Sequence, residues 1–126
     1  SSKITNYIYD MSFEFVADSD FDLNIRGAVI HYNAAGRMIS VTGPVIDAPV
    51  ADLGSAPVRL TDGVLKLRIL VDRTTLEVFG NDGETVITSN FMPASDDYNY
   101  SLVPAGKLHL IRSEIHSLKS AWVKLQ

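Results

Sequence analysis

Apolar residues recur at every second position over most of this chain, in runs too short for helices. Phe13, Phe15 and Ala17 alternate with Ser12, Glu14 and Val16 in a strand predicted to begin near Tyr7. Leu23 and Ile25 alternate with Asp22, Asn24 and Arg26, and Leu65, Leu67, Ile69 and Val71 with Lys66, Arg68, Leu70 and Asp72. A side-chain period of two gives each strand one face for the core and one for water. The β-branched and aromatic residues that dominate these runs suit a pleated surface.

Turn chemistry punctuates the runs. Asn33-Ala34-Ala35-Gly36 separates Gly27–Tyr32 from Arg37–Val41, and Thr61-Asp62-Gly63 introduces a strand over Val64–Asp72. Asn81-Asp82-Gly83 lies between Leu76–Phe79 and Glu84–Phe91, and Asp-Gly between β-formers is a hairpin signal. Pro104-Ala105-Gly106 precedes a last long strand from Lys107. The stretch Gly43–Pro57, with Pro44, Pro49, Gly54 and Pro57, reads as an irregular surface crossover. No long helix and no internal repeat is evident. The prediction is an all-β fold, a two-sheet antiparallel β-sandwich of the concanavalin or jelly-roll kind.

Composition narrows the class. The 126 residues fit a single domain over 1–126, and 46% hydrophobic with 21% charged residues is a globular profile. A net charge of -4 without any Lys/Arg run speaks against a nucleic-acid partner, which needs a basic face. There is no cysteine, so neither disulfides nor a thiolate metal site are available. The chain opens without an apolar signal core and holds no membrane-length run, so a soluble domain with no membrane partner is expected.

The segment Leu65–Gly83 carries the candidate chemistry. It reads as a strand, a tight turn at Arg73–Thr75, a second strand and another turn. Period two puts Arg68, Leu70 and Asp72 on one face, with Glu77 and Phe79 beside them. Two carboxylates in one hairpin invite comparison with a glycosidase pair, which needs a carboxyl of raised pKa opposite an ionised one. Arg68 and Arg73 nearby would instead keep both carboxylates ionised. An ion-pair cluster on a surface or interface, or a polar anchor for sugar hydroxyls, fits these residue types better. His31, His109 and His116 lack ligand spacing, so no metal and no cofactor is expected. There is no Gly-x-Ser-x-Gly elbow and no Gly-rich phosphate loop. Tyr98 and Tyr100 flank Asn99 and could supply a ring for a sugar face; Trp122 suits core packing, an interdomain contact or stacking. Asn99-Tyr100-Ser101 also matches the glycosylation acceptor pattern.

Leu67-Arg-Ile-Leu-Val-Asp-Arg-Thr-Thr-Leu-Glu-Val-Phe-Gly-Asn-Asp-Gly83 closely resembles a segment in the C-terminal β-sandwich of glycoside hydrolase family 32, the invertases, inulinases, levanases and related β-fructofuranosidases. Thr85-Val86-Ile87-Thr88-Ser89-Asn90-Phe91-Met92-Pro93 and Leu118-Lys119-Ser120-Ala121-Trp122 are similar to further blocks of that domain. The resemblance implies that catalysis belongs to a separate five-bladed propeller with three acidic motifs. None of the three occurs here: Asn81-Asp82-Gly83 lacks the flanking residues, Asp72-Arg73 runs in reversed order, and there is no Cys. It therefore implies no catalytic residue in this chain, a propeller as partner, and a secreted or extracytoplasmic parent. Two roles follow: a fructan-binding module using Arg68, Asp72, Arg73, Glu77, Tyr98 and Tyr100, or a structural domain docked on the propeller. More distantly, at the level of architecture, such sandwiches resemble fructan-binding modules of carbohydrate-binding family 66.

Overall fold

The computed structural model describes residues 7–81, 83–94, 97 and 99–119. Among them there are ten strands: β1 Tyr7–Val16, β2 Phe21–Ile25, β3 Ala28–Asn33, β4 Met38–Val45, β5 Ala48–Pro57, β6 Val64–Val71, β7 Thr75–Gly80, β8 Thr85–Asn90, β9 Tyr100–Pro104 and β10 His109–Lys119. They form two five-stranded sheets, sheet A in the order β10-β1-β6-β7-β8 and sheet B in the order β5-β4-β3-β2-β9, with every pairing antiparallel. The expected sandwich is present.

The alternation read from the sequence holds along β1, β2 and β6, but Arg26, expected on the wet face, is buried in the turn after β2. On β1, Tyr9, Met11, Phe13 and Phe15 are buried, and on β6 so are Leu65, Leu67, Ile69 and Val71. Sheet B answers with Phe21, Leu23, Ile25, Ile30, Tyr32, Ile39 and Val41. Phe15 and Phe21 meet across the interface at 4.4 Å between ring centroids, and Phe21 meets Tyr32 at 5.4 Å. The buried Tyr32 hydroxyl donates to the Ala17 carbonyl at 3.3 Å, so its one polar atom is satisfied.

The tight turns explain their own residues. Ile25 pairs with Ala28, leaving Arg26 and Gly27 as a two-residue loop with φ of 48° and 85°. Two successive positive φ values make the primed turn whose twist matches a hairpin. Asp62-Gly63 repeats the device, at 52° and 74°, between Thr61 and Val64.

One expectation is overturned. Gly43–Pro57 is not an irregular crossover: β4 runs on to Val45, and Ala48–Pro57 forms β5. Pro49 and Pro57 are tolerated because β5 is the edge of its sheet, where a missing N–H goes unneeded, and Pro44 on β4 falls within the irregularity between Gly43 and Val45. The ladder absorbs the rest through register shifts at Val41/Thr42 and Gly43/Val45. Gly54 sits opposite the first shift at φ 133°, and a Cβ there would lie 2.9 Å from Ile87 Cγ2 on β8. Close approach of β5 to β8, where Ser89 Oγ donates to the Leu53 carbonyl at 2.6 Å, closes that side of the sandwich.

Leu67→Ala should destabilise the domain by about 2–5 kcal/mol in denaturant unfolding, the range for emptying a packed site. A loss below about 0.5 kcal/mol would show that Leu67 is not core. Gly54→Ala should also destabilise, by more than about 1 kcal/mol, since both its φ and its space exclude a side chain; an unchanged midpoint would refute the close approach.

Candidate functional site

The polar positions of sheet A share one outer face. Cross-strand pairing aligns Asp10 with Leu70 and His116, Ser12 with Arg68 and Glu114, and Glu14 with Lys66 and Arg112. On the other side of β6, Arg68 lies opposite Phe79 and Leu70 opposite Glu77. Arg68, Glu77 and Phe79 thus share a face, as the hairpin period predicted. Asp72 and Arg73 lie just beyond β6 in the turn, where Asp72 Oδ1 accepts the Arg73 N–H at 2.7 Å and the Asp72 N–H bonds the Thr75 carbonyl at 2.9 Å.

The charge partner of Arg68 comes from elsewhere. Its Nε and Nη2 donate to the two carboxylate oxygens of Asp10 on β1, at 3.1 and 2.9 Å, a two-pronged pair. Beside it on β10, Arg112 Nη2 donates to Glu114 Oε1 at 2.7 Å. The hydrogen bond from Arg68 holds the Asp10 carboxyl below its ordinary value, against a smaller opposing effect of burial. Arg112 does the same to Glu114. Both shifts run opposite to what a general acid requires.

Together these side chains border a shallow concavity of about 530 Å³ on the outer face, lined by Glu14, Lys66, Arg68, Phe79, Arg112 and Glu114, among others. Arg68 keeps 58% of its side chain exposed, so the wall is solvated rather than sealed. The half-buried Phe79 supplies an apolar surface at one side. Asp72, Arg73 and Glu77 do not line the hollow: Glu77 stands opposite Leu70 on the same face, and Asp72 and Arg73 lie in the turn beyond β6.

Tyr100 is elsewhere. It opens β9 on the edge of sheet B, 45% exposed, with its ring packed edge-on against buried Tyr9 at 5.8 Å. It borders a smaller cleft of about 200 Å³ with Asn24, Arg26, Asp97, Asn99 and Ser101. Arg26 anchors the floor through the carbonyls of Asp97 and Ala94, at 2.6 and 3.3 Å. Tyr98 and Trp122 lie outside the described residues. Of the histidines, His31 Nδ1 meets Asp22 Oδ1 at 2.6 Å on the outer face of sheet B, and His109 and His116 are exposed on β10. Among the described residues no group of three or more His, Asp or Glu side chains could hold a metal.

Hairpin reasoning missed Asp10, Glu14, Arg112 and Glu114. The signal was present only as polar residues at alternate positions of β1 and β10, strands that lie far apart in sequence.

The family described as glycosyl hydrolases family 32 C terminal matches residues 1–119. A levanase of Bacillus subtilis (strain 168) is 42% identical over 69 residues, covering 54% of this chain and 10% of the levanase. A levanase of Bacillus sp. (strain L7) is 29% identical over 135 residues, covering 94% of this chain and 15% of that protein. The crystal structure of exo-inulinase from Aspergillus awamori superposes with a TM-score of 0.74 at 27% identity, over 97% of this chain and 26% of the exo-inulinase. The chain thus spans a small fraction of the length of the relatives it matches.

The Arg68 pair has a pH signature. A carboxyl whose folded pKa is depressed contributes stability that is present above its unfolded value and lost as pH falls through the folded one. For Asp10 that loss falls below its ordinary value of 3.8. Solvent screening at the exposed Arg68 keeps the contribution small and salt-sensitive. In carboxyl-detected NMR the Asp10 midpoint should lie below 3.8 and return toward it in Arg68→Ala. A wild-type midpoint at or above 3.8 would mean that the pair does not form in solution.

Proposed function

Because this chain belongs to the glycosyl hydrolase family 32 C-terminal domain family, we propose that it is the non-catalytic sandwich of a fructan- or sucrose-cleaving enzyme and that its outer hollow holds a stretch of fructan chain. The observation that carries this reading is the concavity itself. An outer sheet face that only met solvent would need no hollow, and a flat docking partner would leave it unfilled. A furanose unit offers hydroxyls all round and a small apolar face, and the hollow has groups for both. Arg68 and Arg112 donate, Glu14 and Glu114 accept, and Phe79 offers ring surface. The ion pairs Arg68–Asp10 and Arg112–Glu114 hold these groups in place before a ligand arrives, which limits the ordering cost of binding. Glu77 lies on the same face, with Asp72 and Arg73 in the turn beyond it, where a longer chain would continue. Tyr100, with its separate cleft, would contact a different part of the polymer. The parent enzyme of such a domain acts outside the cytoplasm, a reading supported by its likeness to an extracellular exo-inulinase of Aspergillus awamori.

A docking role has a different observation behind it. Ile46 and Met92 are strongly exposed at the end of the sandwich where β1 starts, next to Pro44, whose carbonyl accepts the Met92 N–H at 2.7 Å. A domain joined ahead of β1 would sit at that end and cover them. On this reading the propeller is a partner of the end of the sandwich, and the outer hollow stays open.

Calorimetric titration and affinity electrophoresis with levan and inulin test the proposal on the chain itself. Wild type should be retarded, and Arg68→Ala and Phe79→Ala should each weaken binding by about tenfold, on the order of 1.4 kcal/mol. No fructose should be released from sucrose, inulin or levan. Absence of heat and of retardation at millimolar fructosyl units would end the binding reading and leave the docking one.

A further inference from the structure

The four edges of the sandwich are not alike. On one side, β5 and β8 close against each other through Ser89–Leu53 and through Thr85 Oγ1, which donates to the Pro57 carbonyl at 2.8 Å. β5 also carries prolines and register shifts, which blunt a sheet edge. On the other side, β9 is only five residues long and ends in Pro104. β10 is different: eleven residues, paired on one side to β1, with a single irregularity that leaves Ile111 extra between Leu110 and Arg112. Its inward row overhangs the sandwich, so that Leu110, Ile111 and Ile115 are 40%, 50% and 37% exposed.

Among the described residues no strand pairs with the outer edge of β10, and an edge of this length is a template for another strand. The sequence along it says which strand. In an antiparallel pairing of β10 with itself centred on Ser113, Arg112 of each copy falls opposite Glu114 of the other, and Ile111 beside Ile115. Opposite residues of an antiparallel pair point to the same face, so the charges meet on the outer side and the isoleucines on the inner one. Centred one residue later, on Glu114, Arg112 would instead face His116 and Ser113 would face Ile115, losing both matches.

We propose that β10 is a self-association edge, through which two copies of this chain pair antiparallel about Ser113 into one continuous ten-stranded sheet. The two-fold axis runs perpendicular to the sheet, so both outer hollows lie on the same side, adjoining across the seam where Arg112 and Glu114 line them. A polymer long enough to reach both would gain avidity without any new contact type. The association itself does not rest on the sugar reading, and it is measured without sugar.

The absence of cysteine makes the test clean. Cα atoms directly opposite in an antiparallel pair stand about 4.5–5.5 Å apart, inside the range a disulfide spans. Ser113→Cys should therefore form a covalent dimer under mild oxidation. Ser117→Cys, exposed on the same strand but roughly 27 Å from its counterpart in this register at the usual rise per residue, should not. Sedimentation of the wild-type chain from micromolar to millimolar concentration should show a shift from monomer toward dimer that weakens with salt. Arg112→Glu and Glu114→Arg should each abolish the shift with unchanged melting temperatures, and the double exchange should restore it. A chain monomeric throughout, equal cross-linking of the two cysteine variants, or single charge reversals without effect would each overturn the proposal.

Discussion

The register of β1 against its two neighbours is the constraint on which the rest of this molecule hangs. β1 lies between β10 and β6, and its odd-numbered residues from Tyr9 to Phe15 fill the space between the sheets. The side-chain period of a strand is two, so a slip of one residue would turn Met11, Phe13 and Phe15 to water and Asp10, Ser12 and Glu14 to the core. Burying three such apolar side chains is worth several kcal/mol, about 1.5–3 each, whereas burying the carboxylates would carry a heavy desolvation cost. The register is therefore held by a large energy difference. Everything on the outer face inherits its position from it.

The polar face follows as a by-product of that packing, and this explains its mixed character. Asp10 is brought beside Arg68 because Met11 and Ile69 are brought together inside. Glu14 is aligned with Lys66 for the same reason, through Phe13 and Leu67. Such exposed ion pairs add little to stability, since solvent screens them. Their effect is on shape and protonation: they fix long side chains around a hollow and keep the carboxylates ionised. Carboxylates held ionised in this way lack the raised pKa that a general acid requires.

The unequal edges add a second theme. One side of the sandwich is shut by hydroxyl-to-carbonyl bonds and by a glycine where β5 and β8 come closest. On the other, among the described residues, β10 has no strand beyond it and its inner row is half-covered. A sandwich with one sealed and one open side has a direction in which it can be extended, and the hollow lies on the sheet that owns the open edge.

By itself the sequence determined the fold class, the inward residues of β1, β2 and β6, and the hairpin that sets Arg68, Glu77 and Phe79 on one face, because period and turn chemistry are local and read directly from residue order. The same local logic misread Gly43–Pro57, where the density of proline and glycine outweighed the pairing that an edge strand and its bulges permit. It also could not show that the partner of Arg68 is Asp10, 58 residues away, or that Tyr100 stands on the other sheet. Alternation says which face a side chain takes, but not which strand lies next to it. That choice was made only when the two apolar faces closed on each other, since burial of the whole core, and no local preference, selects the order of strands within a sheet.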